Sequence, residues 1–177
     1  MCLIEEFKSK FMNKVKVLIL MLFVSTGLMA QEIEIPLEMN FENTDDYKNA
    51  EQLVLDASDW LLNTPLSEDS IKRKEVNSFL MRWMSGTPSV SIELVSGIVP
   101  LDCLNCLMSF MSGWTKYSLE NDYSKDKINC ALAGAEHAIE FYEKNQPELG
   151  KSSDMEKLIE QKENGTLKKY IQSQFKL

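Results

Sequence analysis

Two cysteines in the run Cys103-Leu104-Asn105-Cys106 are the residues best suited to chemistry. They follow Pro100 at the predicted start of a helix, where free backbone N–H groups and the helix dipole would stabilise a thiolate. The pattern fits a redox-active thiol pair, a passive disulfide, or two small apolar side chains in a buried face from Leu101 to Met111. A thioredoxin-like site would need strands alternating with helices around the motif, whereas the flanking sequence predicts helices.

Helix geometry distinguishes the next cysteine from this pair. If the helices on either side of Asp122 are antiparallel, Cys106 and Cys130 differ in height by about 12 Å at a rise of 1.5 Å per residue. A disulfide cannot span that distance. We therefore expect any disulfide to join Cys103 and Cys106 and expect Cys130 to be free and buried.

The single histidine of the chain, His137, would lie nearly level with Cys106 by the same measure. A zinc site made of Cys103, Cys106, His137 and Glu140 is therefore a candidate. Structural zinc prefers cysteine and histidine, and this set would need a carboxylate to be complete. We expect no resident metal or cofactor, and we interpret His137 as an ordinary helical residue among alanines.

Other catalytic patterns are missing from the sequence. One histidine excludes the usual di-iron bundle, which takes a Glu-x-x-His motif from each of two helices. No Gly-x-Ser-x-Gly nucleophile turn is present. Hydrolysis by carboxylates alone stays open, although no pair of acidic residues stands out.

A segment typical of a secretory signal peptide precedes the helical part. Lys14 and Lys16 are followed by an apolar run over residues 17–24 and then by small residues up to Ala30. The run is too short to cross a bilayer. We expect residues 1–30 to be removed, with Met12 as an alternative start, so that no stable membrane span remains and the protein is periplasmic or extracellular.

The charge of the mature chain indicates which partners to expect. Removing residues 1–30 takes four lysines and two glutamates from 19 basic and 27 acidic residues, which leaves a net charge of −10. Such a chain repels phosphate backbones, so we expect no nucleic-acid partner. An unknown protein or envelope component is the expected partner, and the oligomeric state is left open.

Hydrophobic spacing predicts an all-α domain over residues 44–177, after an extended N-terminal segment at 31–43. We expect an irregular bundle of about six helices in three antiparallel hairpins. Thr44 and Ser67 are the predicted N-caps of the first two helices, and Pro147 and Gly150 are predicted to end the fourth. The predicted helices cover about 44–63, 67–86, 100–119, 124–145, 153–163 and 166–175.

An extended strap is predicted between the second and third helices. Val90, Ile92 and Leu94 alternate there with polar residues, which is the period of a strand, but no second strand is evident to pair with them. Long irregular connections are often functional. The strap, with Val90, Ile92 and Leu94, is therefore a candidate binding site for a partner.

Two resemblances concern the helical part. The run from Ala138 to Lys144, followed by Pro147, is similar to the end of a tetratricopeptide unit, but it covers half a repeat and no 34-residue period follows. The signal peptide, the run from Trp83 to Pro88 and the run from Thr115 to Asn121 together resemble a family of uncharacterised exported bacterial helical proteins. That resemblance implies export and a helical fold, and it implies no activity.

These observations favour a non-enzymatic, exported binding or assembly module. A thiol-redox or zinc protein that uses the Cys103 and Cys106 pair is the first alternative, and a carboxylate-dependent hydrolase is the second.

Overall fold

The structure is a computed structural model that describes residues 33–36 and 39–176. The predicted signal peptide, residues 1–30, lies outside the described residues, as does part of the predicted N-terminal segment. The described chain folds into α-helices and contains no strand, so the prediction of an all-α protein is confirmed. None of these helices combines the length and the apolar composition needed to cross a bilayer.

Seven helices form in the described residues, one more than predicted. They are α1 (Thr44–Asn49), α2 (Glu51–Asn63), α3 (Ser70–Gly86), α4 (Leu104–Glu120), α5 (Lys127–Leu149), α6 (Ser153–Glu163) and α7 (Leu167–Gln174). The extra helix arises because the first predicted helix is divided at Ala50. The arrangement of these helices in three hairpins stays a prediction.

Two helix starts differ from the predicted caps. Asn43, and not Thr44, caps α1: its side chain accepts hydrogen bonds from the backbone N–H groups of Asp45 and Asp46, and Asp46 accepts one from Asn43 in return. This reciprocal pair satisfies more free N–H groups than Thr44 could. Asp69, and not Ser67, caps α3 by accepting a hydrogen bond from Lys72 N at 2.9 Å.

The prediction that Gly150 ends α5 is confirmed, but the prediction for Pro147 is wrong, because the helix continues through Pro147 to Leu149. Proline lacks a backbone N–H, so its presence costs one hydrogen bond to the preceding turn. Pro147 lies in the last turn of the helix, where no later turn depends on that bond. Gly150 then adopts a φ of 73°, a left-handed value that glycine accommodates without steric strain.

The core lies between the helices and under the segment that connects α3 to α4. Trp83, Phe79 and Phe110 are fully buried, and Trp60 and Trp114 are buried beside them. The tryptophans therefore pack in the core and do not line a groove. Among all helix pairs, α4 and α5 share the most extensive contact.

Two glycines allow that close contact between α4 and α5. A Cβ atom on Gly134 would lie 2.7 Å from the carbonyl oxygen of Phe110, and one on Gly113 would lie 2.4 Å from the Cβ of His137. These distances are too short for any real side chain. Glycine at positions 113 and 134 is therefore what permits the close approach of the two helices.

A buried arginine completes the end of α2. Arg73 donates hydrogen bonds to the carbonyl oxygens of Thr64 at 2.6 Å, Pro65 at 3.1 Å and Leu61 at 3.4 Å. Its guanidinium also lies 5.4 Å from the centre of the Trp60 ring. The last carbonyls of a helix carry partial negative charge and have no partner within the helix. The guanidinium supplies the hydrogen bonds that water would make if this helix end were exposed.

Candidate functional site

The loop that leads into α4 contains the two cysteines, and we call residues 100–106 the cysteine loop. Cys103 is the N-cap residue of α4, and the backbone N–H of Cys106 donates a hydrogen bond to Cys103 Sγ at 3.3 Å. The two sulfurs are joined in a disulfide, with the Cα atoms 5.2 Å apart. Cys103 exposes 8% of its surface and Cys106 exposes none.

Two aspartates connect the cysteine loop to the start of α6. Asp102 accepts hydrogen bonds from the backbone N–H groups of Ser153 at 2.8 Å and Asp154 at 3.3 Å, and from the hydroxyl of Ser152. Asp154 in turn accepts hydrogen bonds from the backbone N–H groups of Leu101 at 3.0 Å and Asp102 at 3.4 Å. We call this pair the aspartate clamp. The two bonds are reciprocal, as in a capping box, but they join segments about fifty residues apart in the chain.

The electrostatics of Asp102 follow from these contacts. Partial burial alone would raise the pKa of its carboxyl group, but the hydrogen bonds from Ser152, Ser153 and Asp154 outweigh burial and lower that pKa below its usual value. The positive end of the α6 dipole also favours a negative charge at this position. Asp102 is therefore ionised in the folded protein at neutral pH.

Two leucines of the cysteine loop face solvent. Leu101 exposes 59% of its surface to solvent and Leu104 exposes 77%. The prediction of a buried apolar face from Leu101 to Met111 is wrong at these two residues. The reason is that α4 begins only at Leu104, while the clamp fixes the preceding turn with both leucines outward. Cys106, Phe110 and Met111 of the same predicted face are buried.

An open groove of about 840 Å³ lies beside the clamp along α6. Asp102 forms part of its wall, so the groove adjoins the cysteine loop. Acidic side chains outnumber basic ones around it: Asp102, Glu156, Glu160 and Glu163 against Lys151 and Lys157. We call this feature the acidic groove.

The strap, now bounded by α3 and α4 at residues 87–103, is held against the helices at several points. Trp114 Nε1 donates a hydrogen bond to the carbonyl oxygen of Ser91 at 3.1 Å, and the hydroxyl of Tyr170 donates one to Gly97 at 2.6 Å. Of the candidate binding residues, Val90 is buried, Ile92 is half-buried, and Leu94 is 55% exposed. Leu94 is thus the residue of the three that a partner could reach most easily.

His137 is bonded to Ser109 and, within the described residues, joins the cysteines in no metal-binding group. Its Nδ1 atom is 2.8 Å from Ser109 Oγ, and Ser109 lies three residues, about 4.5 Å of helix rise, beyond Cys106. Glu140 instead forms a salt bridge with Lys144 at 2.8 Å, which lowers the pKa of its carboxyl group. Within the described residues no three His, Cys, Asp or Glu side chains lie close enough to hold a metal ion.

Ser109 and His137 form the pair that comes nearest to a nucleophile and its base. Both residues are buried between α4 and α5, and burial lowers the pKa of His137 to about 4. The Nε2 atom of His137 is also buried and has no hydrogen-bond partner among the described residues. A substrate would have to separate the two helices to reach this pair, so its geometry is that of a core contact.

Cys130 lies in α5 and is buried. Burial raises the pKa of its thiol, which keeps the sulfur protonated and unreactive. It forms no disulfide with a cysteine of the described residues.

Sequence reasoning did not identify the aspartate clamp. Serine is a common helix cap, and an aspartate two residues beyond such a cap is a common signal, so Ser152 and Asp154 together mark the start of α6. The contribution of Asp102 depends on a contact across fifty residues, which no local pattern reveals.

The chain was also compared with known proteins. No protein-family model, no curated protein and no solved structure matches it.

Proposed function

We propose that this protein is an exported, non-enzymatic binding or assembly module that binds its partner through Leu101 and Leu104. We call these two residues the docking leucines. The observation that carries the proposal is their exposure, 59% and 77%, on a loop that a disulfide and the aspartate clamp hold in place. A rigid loop loses little conformational entropy when it binds, which favours affinity.

The chemistry next to the docking leucines indicates the kind of partner. The acidic groove begins at Asp102, between Leu101 and Cys103, and carries four carboxylates and two lysines. A protein segment that presents apolar side chains next to lysine or arginine would complement both features. Leu94 on the strap offers a further exposed apolar contact for such a partner.

Export, an arrangement in three helical hairpins, and kinship with exported bacterial helical proteins are parts of the same proposal. The signal-peptide pattern of residues 1–30 supports export. The all-α structure of the described residues is compatible with the hairpins.

A pair of designed peptides tests this function. One peptide alternates leucine with lysine, and the other alternates leucine with glutamate; binding of each is measured by fluorescence anisotropy at low and moderate salt. We expect the lysine peptide to bind, and the combined substitutions Leu101→Ser and Leu104→Ser to weaken it at least tenfold. Ile71→Ser removes an equally exposed apolar side chain on α3 and should leave binding unchanged.

Two results would contradict the proposal. Equal binding of both peptides would show that charge complementarity plays no part. Equal loss in the Ile71→Ser control would show that any exposed apolar residue suffices. Sedimentation of the protein alone completes the test, because self-association that depends on Leu104 would make a second copy of the chain the occupant in place of a basic partner.

A further inference from the structure

We propose that the Cys103–Cys106 disulfide exchanges with thiols of peptide substrates, and that Cys103 is the sulfur they attack. The exchange is stoichiometric, one substrate per disulfide, so it adds to the non-enzymatic binding function proposed above, and it does not depend on the docking leucines.

The two sulfurs differ in access to solvent. Both cysteines are buried in the core, but Cys103 keeps a small exposed fraction, 8%, whereas Cys106 is completely enclosed. Thiol–disulfide exchange proceeds by attack of a thiolate on one sulfur, with the other sulfur leaving. Cys103 is therefore the cysteine of the pair that lies nearer to solvent, which makes it the sulfur attacked and Cys106 the leaving group of that first step.

The position of Cys103 at the start of α4 stabilises its thiolate, which is the form released in the last step of the exchange. Cys103 caps α4, and the N–H of Cys106 points at its sulfur from 3.3 Å. A thiolate at this point accepts that hydrogen bond and lies at the positive end of a 17-residue helix. Stabilising the reduced form makes the disulfide a stronger oxidant.

The two carboxylates of the aspartate clamp destabilise a thiolate at Cys103 only weakly. Asp102 and Asp154 both direct their oxygens at backbone N–H groups in the aspartate clamp. Asp102 in addition faces the N-terminus of α6, whose dipole offsets its charge. The helix field of α4 acts on Cys103, whose sulfur accepts the N–H of Cys106.

The electrons and protons balance as a two-electron exchange. A substrate thiolate attacks Cys103 Sγ, the Cys103–Cys106 bond breaks, and Cys106 leaves and takes up a proton. A second thiolate of the same substrate then attacks the substrate sulfur that is bonded to Cys103. This attack displaces Cys103 as a thiolate. The dithiol substrate becomes a disulfide, and the cysteine pair gains two electrons.

Single-cysteine variants test which sulfur reacts. They are made in a full-length background with Cys2→Ser and Cys130→Ala, so that Cys106→Ser leaves only Cys103 and Cys103→Ser leaves only Cys106. Far-UV circular dichroism confirms the fold of each. With glutathione disulfide at pH 7, we expect the Cys106→Ser variant to form the mixed disulfide at least ten times faster than the Cys103→Ser variant. Equal rates, or a faster Cys106, would overturn the assignment.

The pH dependence of alkylation separates electrostatic activation from simple access. An ordinary thiol alkylates about 75-fold more slowly at pH 6 than at pH 8, because its thiolate fraction falls by that factor. A Cys103 thiolate stabilised by α4 should lose less than tenfold in the Cys106→Ser variant. A 75-fold loss would overturn the electrostatic part of the proposal.

The wild-type protein allows a further test, which requires no substitution and so does not depend on whether a variant folds. The protein is equilibrated without oxygen in millimolar glutathione buffers, and the fraction of alkylated Cys103 and Cys106 is read by mass. An exchange-active pair becomes reduced in these buffers, whereas a structural disulfide resists the glutathione pool. A pair that stays fully oxidised would refute the activity, and because glutathione needs no apolar surface, that failure would leave the docking leucines untouched.

Discussion

Asp102 and Asp154 each accept hydrogen bonds from backbone N–H groups in the segment that contains the other aspartate. Asp102 accepts from Ser153 N at 2.8 Å at the start of α6, and Asp154 accepts from Leu101 N at 3.0 Å in the cysteine loop. Each carboxylate thereby satisfies N–H groups that would otherwise lose their partners on folding. This relationship fixes the loop that presents the docking leucines and the disulfide.

We expect Asp102→Ala to lower the free energy of unfolding by about 1 kcal/mol at pH 7, the usual cost of losing a helix cap. The pKa of Asp102 is lowered in the folded state, so its contribution is present above the unfolded pKa near 4 and is lost as the pH falls further. Urea unfolding at pH 7 and pH 3 measures both effects. Asp122→Asn, at an exposed turn residue, is the control, and an equal loss there would contradict a specific clamp.

His137 should make the stability of the protein depend on pH in a window that can be assigned to one residue. Burial lowers its pKa to about 4, below the value near 6.5 of an unfolded histidine. Between these values the unfolded chain binds more protons than the folded one, so stability falls as the pH drops below 6.5. From pH 7 to pH 4.5 the loss should be roughly 2 kcal/mol.

Substitution isolates that effect, because His137 is the single histidine of the chain. In His137→Gln the part of the pH dependence between 4.5 and 6.5 should disappear from urea unfolding curves. Ser109→Ala removes the hydrogen-bond partner but keeps the titrating ring, so the pH dependence should remain. If the wild type and His137→Gln show the same dependence, the buried histidine is not its source.

Local patterns predicted the helices well because each pattern reports on a property that lies within one helix. The apolar stripe of α5, which includes Ala131, Ala135 and Ile139, is buried as its period indicates. The predicted buried face failed at Leu101 and Leu104, which are exposed because α4 begins only at Leu104 and Leu101 lies in the turn before it. The candidate site depends on contacts between Asp102 and Asp154, and sequence spacing carries no information on such distant pairs.

Arg73 tests how much a buried cation bonded to three carbonyl oxygens stabilises the end of α2. Arg73→Lys should lower the free energy of unfolding by about 2–3 kcal/mol, because lysine cannot reach the carbonyls of Thr64 and Pro65 together and burial disfavours its charge. Arg82→Lys is the matched control, since Arg82 is exposed and, among the described residues, bonds to one carbonyl, that of Met39. Urea unfolding monitored by tryptophan fluorescence measures both, and similar small losses would show that the three carbonyl bonds contribute little.

The close approach of α4 and α5 predicts different costs for adding a methyl group at three glycines. In Gly113→Ala and Gly134→Ala the new Cβ would meet a backbone carbonyl oxygen at 2.9 Å and 2.7 Å, so the helices must move apart. Overpacking of this kind costs about 1–3 kcal/mol.

Gly86→Ala is the informative control, because its new Cβ would collide with a movable group, the hydroxyl end of the Tyr47 side chain. Rotation of Tyr47 relieves that contact, and alanine stabilises a helix end relative to glycine by up to about 1 kcal/mol. Thermal unfolding should therefore place Gly86→Ala near the wild type and both core variants well below it. Equal midpoints for all three would mean that α4 and α5 tolerate a wider separation than the glycine contacts imply.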